Sequence, residues 1–188
     1  SKSDEAKTIL LDAESVITNA TEAEKAQYYF VKGNVMLDLA NKSVDKDANL
    51  SLAACAFQEL IEVEKASGKS KYTAQATKSV MDIKYKLINE AIADSKSDKH
   101  EVAAKKLYDA YLLDKKDTIN LYYAASTYVN SRNYDAALKN YDELKKLNYS
   151  GKGTNYFAVN KLTSQEDMYL TAAERDRMIK LGTHEKPR

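Results

Sequence analysis

The sequence predicts an all-α fold of stacked helix pairs, followed by a small β-hairpin and one more helix. Three observations carry that reading. Amphipathic runs at helical spacing follow one another over residues 4–149, and one proline and five glycines in 188 residues leave them little interrupted. A set of apolar and small residues recurs at a constant 34-residue interval, seen first as Leu87 and again as Leu121. After residue 150 the pattern changes to short alternating segments.

Taken in order, residues 4–19 place Ile9, Leu10, Ala13, Val16 and Ile17 on one helical face. Thr21 and Glu24 then have the spacing of a capping box, in which hydroxyl and carboxylate each accept from a free first-turn amide. The helix they open covers 22–40 and ends in the charged loop NKSVDKDAN. Residues 50–66 form the next helix, and Gly68 suits a left-handed cap. A long helix spans 72–95. Asp98 and Glu101 offer a second capping box for a helix reaching 113. Helices over 118–130 and 134–147 follow, the last capped by Asn133. TNYFAVN and EDMYL, joined by KLTSQ, read as the two strands of a hairpin. Thr171 and Glu174 supply a third capping box for a helix over 172–181, ended by Gly182, and THEKPR reads as a frayed or truncated tail. The expected division is therefore 1–150 for the helical array. Residues 151–188 hold the hairpin, helix and tail, packed on the array or continuing it.

Leu87, Ala91, Ala103, Leu107 and Ala110 recur as Leu121, Ala125, Ala137, Tyr141 and Leu144. The shift is the same across both helices of the pair, which amphipathic spacing alone does not produce. An earlier, looser copy has Tyr29, Gly33 and Met36 on its first helix and Ala53, Phe57 and Leu60 on its second. Ala6, Leu10 and Ala13 fit a second helix as well. The pattern resembles the tetratricopeptide repeat, strongly over 84–149 and weakly over the preceding residues. In that family small residues sit where paired helices approach closely, and larger ones fill the space between pairs. Asp114 stands where the family often has Asp before Pro, and Lys115 replaces the proline. A lone pair cannot bury its apolar face, so the resemblance implies pairs stacked into a right-handed α-α superhelix. The segment from Asn155 onward is also similar to uncharacterised exported bacterial proteins with such repeats. This implies a periplasmic or exported location and further repeats in a parent chain. The opening SKSDEAK reads as a cut or processed terminus.

Composition removes several function classes. The formal charge of +1 argues against nucleic-acid binding, and no stretch is apolar enough to span a membrane. The single cysteine, Cys55, excludes an intrachain disulfide framework and a cysteine-based zinc site, and SLAACAFQEL reads as burying it. His100 and His184 lack a neighbouring ligand at metal spacing, and His100 reads as a solvated first-turn residue. No phosphate-binding glycine loop or nucleophile elbow is present. The carboxylate pairs Glu22/Glu24, Glu59/Glu62 and Glu166/Asp167 read as solvated or locally paired charge. No catalytic residue, metal or cofactor is expected.

What remains is a surface. Tyr134 and Tyr141 fit repeat packing. The resemblance implies that first helices line a concave groove, and by slot its candidates are Phe30, Asn34 and Asp38 in the first copy. The second copy offers Tyr85, Ile88, Asn89, Ile92 and Lys96; the third offers Ile119, Tyr122, Tyr123, Ser126 and Asn130. Tyrosine gives a large contact area at low entropic cost. The family's two-carboxylate clamp for chaperone tails is not matched: Asn89 fits one slot, but Phe30, Ile119 and Tyr123 stand where lysine, lysine and arginine are needed. The expected function is non-catalytic binding of a peptide or protein segment. The alternatives are a structural assembly segment of a larger exported protein, and a glycan or small-molecule receptor.

Overall fold

A computed structural model describes residues 2–152, 154, 156–169 and 172–188 of the chain. It divides into two compact units, Ser1–Leu147 and Asn148–Arg188. The described residues of the first unit form α1 (Lys2–Glu14), a 3-10 turn (Ile17–Asn19), α2 (Glu22–Asn41), α3 (Lys46–Ala66), α4 (Thr73–Lys96), α5 (His100–Leu113), α6 (Thr118–Asn130) and α7 (Tyr134–Lys146). Each helix packs on its neighbours in sequence, so the unit is a run of adjacent pairs. None of the described helices is long and apolar enough to cross a membrane.

α1 stops short of the expected residue 19. Val16, Ile17 and Thr18 are β-branched and poor helix formers, and Ser15 Oγ donates to Asp12 O at 2.9 Å, turning the chain out. Of the five residues expected on its inner face only Leu10 is buried; Ile9 and Val16 are exposed. The Tyr28 hydroxyl of α2 donates to Leu10 O at 3.2 Å. The Thr21–Glu24 capping box forms as expected. α3 begins at Lys46 rather than at residue 50: Asp45 takes a left-handed φ of 37°, and Asn49 Nδ2 folds back to donate to Val44 O at 2.8 Å.

The Asp98–Glu101 capping box does not form. Asp98 is itself left-handed (φ 60°), Lys99 takes the cap position without a side-chain bond, and Glu101 accepts instead from Asn133 Nδ2 at 3.0 Å. Asn133 does cap α7, its Oδ1 accepting from Ala136 N at 3.1 Å. The repeat interval is visible in the backbone here. Lys99 N donates to Asp94 O at 2.9 Å, and, 34 residues on, Asn133 N donates to Tyr128 O at 3.0 Å. The left-handed residues of the two turns, Asp98 and Arg132, keep the same interval.

The repeated small residues are where helices meet. Ala91, Ala103, Ala110, Leu121, Ala125, Ala137 and Leu144 are all buried. Gly33 lies against the ring of Phe57, so closely that a Cβ there would stand 2.6 Å from Phe57 Cε1. Three sequence expectations fail on the array's surface. Cys55 is exposed, because Ala53, Ala54, Ala56 and Phe57 take the inner face of α3 and turn it outward. Tyr134 and Tyr141 are 63 % and 39 % exposed rather than packed. α7 is the last helix of its unit, so no first helix follows within it to cover them.

The second unit carries β1 (Tyr156–Asn160), β2 (Glu166–Tyr169), α8 (Ala172–Lys180) and β3 (His184–Glu185) in one antiparallel sheet of order β2-β1-β3. The expected hairpin is there, pairing Tyr156 with Tyr169 and Val159 with Glu166 around a buried Ala158. Gly182 ends α8 with φ 75°. The Thr171–Glu174 box lies outside the described residues.

The expected frayed tail is instead the third strand. Phe157 and Arg188 exchange both backbone hydrogen bonds, at 2.9 and 2.8 Å, and His184 is buried. Its Nε2 meets Asp167 Oδ2 at 2.8 Å and its Nδ1 meets Thr183 Oγ1 at 2.9 Å. A two-residue strand has no alternation for a sequence reading to detect.

Candidate functional site

α4, α5 and α6 enclose a cleft of 520 Å³. α4 contributes Ile88, Ala91, Ile92, Ser95 and Lys96, whose spacing puts them on one face over two turns. α6 contributes Asn120, Tyr123 and Thr127, and Leu107 of α5 forms the floor. Ala91 and Leu107 are buried in the core they share with Ala103 and Ala124, which fixes the floor. Ile92 and Tyr123 stand half out of it. Asn120 is buried beside the cleft, with Nδ2 donating to Asp117 Oδ2 at 2.8 Å. An apolar floor, a tyrosine wall and a rim of hydroxyl, amide and one ammonium group can hold apolar side chains and hydrogen-bond their backbone. The cleft residues include no carboxylate, histidine or thiol.

Four of the sequence candidates, Ile88, Ile92, Lys96 and Tyr123, are thus brought to one place. Tyr122 lies beside Tyr123 with ring centroids 5.8 Å apart, and both are exposed. Asn89, Ile119, Ser126 and Asn130 are on the same helices but do not line this cleft. The first-copy residues are engaged locally. The ring of Phe30 stacks on Tyr72 at 4.4 Å, Asn34 Nδ2 donates to Phe30 O at 2.7 Å, and Asp38 pairs with Lys42 at 2.6 Å.

Tyr85 parts company with its expected neighbours. It lines a second cleft, of 690 Å³, with Ile61 of α3, Val80, Met81 and Lys84 of α4, and Leu113 at the end of α5. Second helices flank this cleft, which lies nearer the start of α4 on the same face: Thr77, Val80, Met81, Lys84 and Tyr85 continue the helical spacing of Ile88, Ala91, Ile92 and Ser95. Burial pushes the Lys84 ammonium down, but Asp114 at 2.8 Å and Asp117 at 2.7 Å outweigh it and hold the group above its ordinary range. The cation there already has its counter-ions, so the cleft offers an incoming anion little.

Sequence reasoning missed Asn120 and Thr127, which have no residue-type signal of their own. Helical spacing could have found both, since they lie three residues before and four residues after Tyr123 on the same face of α6. It also missed the pairing of His184 with Asp167, which joins β3 to β2 within the second unit. Comparison with protein-family models, curated proteins and solved structures finds no match for this chain.

Proposed function

We infer that the chain is a non-catalytic interaction module of the tetratricopeptide kind, which binds a peptide or protein segment in the cleft between α4 and α6. The observation that carries this reading is the convergence of Ile88, Ile92, Lys96 and Tyr123 over the buried Ala91 and Leu107 floor. Tyr123 and Ile92 supply exposed apolar area next to groups able to pair with a peptide backbone. The proposed setting is the periplasm or another exported location, on the resemblance of the sequence to exported repeat proteins.

Selection of a random peptide library on the immobilised chain tests the reading. It should enrich sequences with spaced apolar residues. Tyr123→Ala and Ile92→Asp should each weaken their binding by roughly tenfold or more, as for a central anchor residue. Met81→Ser, in the other cleft, should leave binding unchanged. Failure to enrich any peptide, or binding indifferent to both cleft substitutions, rejects the site.

A further inference from the structure

The outer face of α7 is bare in a way its counterparts are not. The 34-residue register sets Leu138, Tyr141 and Lys145 on α7 where α5 has Ala104, Leu107 and Tyr111. Those three are buried, in a helix packed against α6. On α7, Leu138 is 62 % exposed, and Tyr134 and Tyr141 are exposed with it. Tyr134, Leu138, Tyr141 and Lys145 follow the spacing of a single helical stripe. An open stripe of two tyrosines and a leucine is the kind of surface that a second body covers.

The charges beside the stripe identify that body. Asp135, Lys139, Asp142 and Lys146 form an adjacent row in which acid and base alternate. All four are exposed, and none has an ion-pair partner among the described residues. Turned end for end, this row is complementary to itself. Asp135 meets Lys146 of a second copy, Lys139 meets its Asp142, and the two remaining pairs follow by symmetry. The stripe is self-complementary in the same orientation: Leu138 falls against Tyr141 of the other copy, and Tyr134 falls beside its Lys145, a cation–π arrangement.

We propose that α7 is the interface of a two-fold homodimer, with the helices of the two copies antiparallel. The same patch serves both partners, as closed dimers require. One helix of 13 residues per copy, about 20 Å long, covers less than a standard interface, so the dimer is weak, with a dissociation constant on the order of 100 µM.

Sedimentation equilibrium of the 188-residue chain, from about 5 µM to about 1 mM, reads this directly. The wild type should show a reversible monomer–dimer equilibrium that salt weakens. Leu138→Lys should weaken it by roughly tenfold or more. Lys146→Glu alone sets carboxylates against one another and should also weaken it. Adding Asp135→Lys to the same chain restores opposite charges and should recover the dimer. A chain that stays monomeric throughout overturns the proposal. So does a dimer indifferent to Leu138→Lys, or a charge exchange that does not rescue. Circular dichroism of each variant separates lost association from lost folding. A Leu138→Lys chain that is monomeric but melts well below the wild type shows a face covered within its own chain, which also overturns the proposal.

Discussion

Gly33 shows how one residue fixes the distance between two helices. Alanine in mid-helix is ordinarily worth about 1 kcal/mol over glycine. Here the added methyl would meet the fully buried Phe57 ring at 2.6 Å, and overpacking a core costs about 1–3 kcal/mol. Gly33→Ala should therefore destabilise by about 1–2 kcal/mol, reversing the propensity sign; a denaturant midpoint that rises would show that the ring yields. Tyr111 makes a second residue-scale case. Its ring is buried and its hydroxyl donates to Glu143 Oε1 at 2.8 Å. Burial first, and then the carboxylate, push the phenol up to about 12. The folded chain holds this proton more tightly than the unfolded one, whose tyrosines titrate near 10 (about the free value). The stabilisation is thus complete below about pH 10 and fades as pH rises toward about 12. Tyr111→Phe should cost about 1.5 kcal/mol at neutral pH and flatten the alkaline fall in stability. An unchanged alkaline slope in pH-dependent urea melts would reject that account.

At the scale of elements, helix starts separate what is local from what is not. α4 opens at Thr73 with no cap from its own N-cap residue, Tyr72. Glu64 of α3 does the capping, accepting from Tyr72 N at 3.0 Å, Thr73 N at 2.8 Å and Thr73 Oγ1 at 2.6 Å. Burial pushes this carboxyl up, but the donated hydrogen bonds outweigh it and hold it below the usual range. The tie is therefore at full strength above the ordinary glutamate value of about 4.3, and it is lost as pH falls through the lower folded value. Glu64→Ala should cost about 2–3 kcal/mol and remove part of the acid limb of the stability curve, read by urea melts between about pH 2 and 7; equal acid limbs in both proteins would discount the tie. No sequence reading could have assigned Glu64, because its partners lie on another element and a glutamate on a helix face looks like any other. Thr21–Glu24 and the Asn133 cap were legible because donor and acceptor sit three residues apart. The same spacing misled at Asp98–Glu101, where a left-handed turn residue and a distant asparagine took the two groups elsewhere. In the candidate site, register put Ile88, Ile92 and Lys96 on α4 and Tyr123 on α6, and these four line one cleft. Tyr85 shares the α4 face of Ile88 and Ile92 but lies nearer the helix start, where α3 and the end of α5 rather than α6 form the other walls; a register that assigns residues to helices does not say which neighbours flank each level.

Across the whole helical unit, packing runs between sequence neighbours, so stability should be distributed along the array rather than shared equally. α2, α3 and the first half of α4 bury one core; the end of α4 with α5 and α6 buries another. The two are joined through α4 and α5 and by half-buried ion pairs, Lys106 with Glu90 at 3.2 Å and with Asp94 at 2.8 Å, and Lys46 with Glu90 at 2.6 Å. Among the described residues, α1 is held by Leu10, the Tyr28 hydroxyl and the Lys32–Glu14 pair at 2.6 Å. In such arrays each element's stability is its own plus its interfaces with neighbours, and opening proceeds in contiguous segments. Native-state hydrogen exchange should accordingly find α1 least protected among the helices of this unit, opening without the rest. Gly33→Ala should lower protection in α2 and α3 by its full cost. The same substitution should lower protection by less in α6 and α7, which reach the damaged interface only through α4 and α5. A uniform loss across α2 to α7 would mean that the ion pairs and the shared helices make the unit fold as one, and the nearest-neighbour picture would have to be given up.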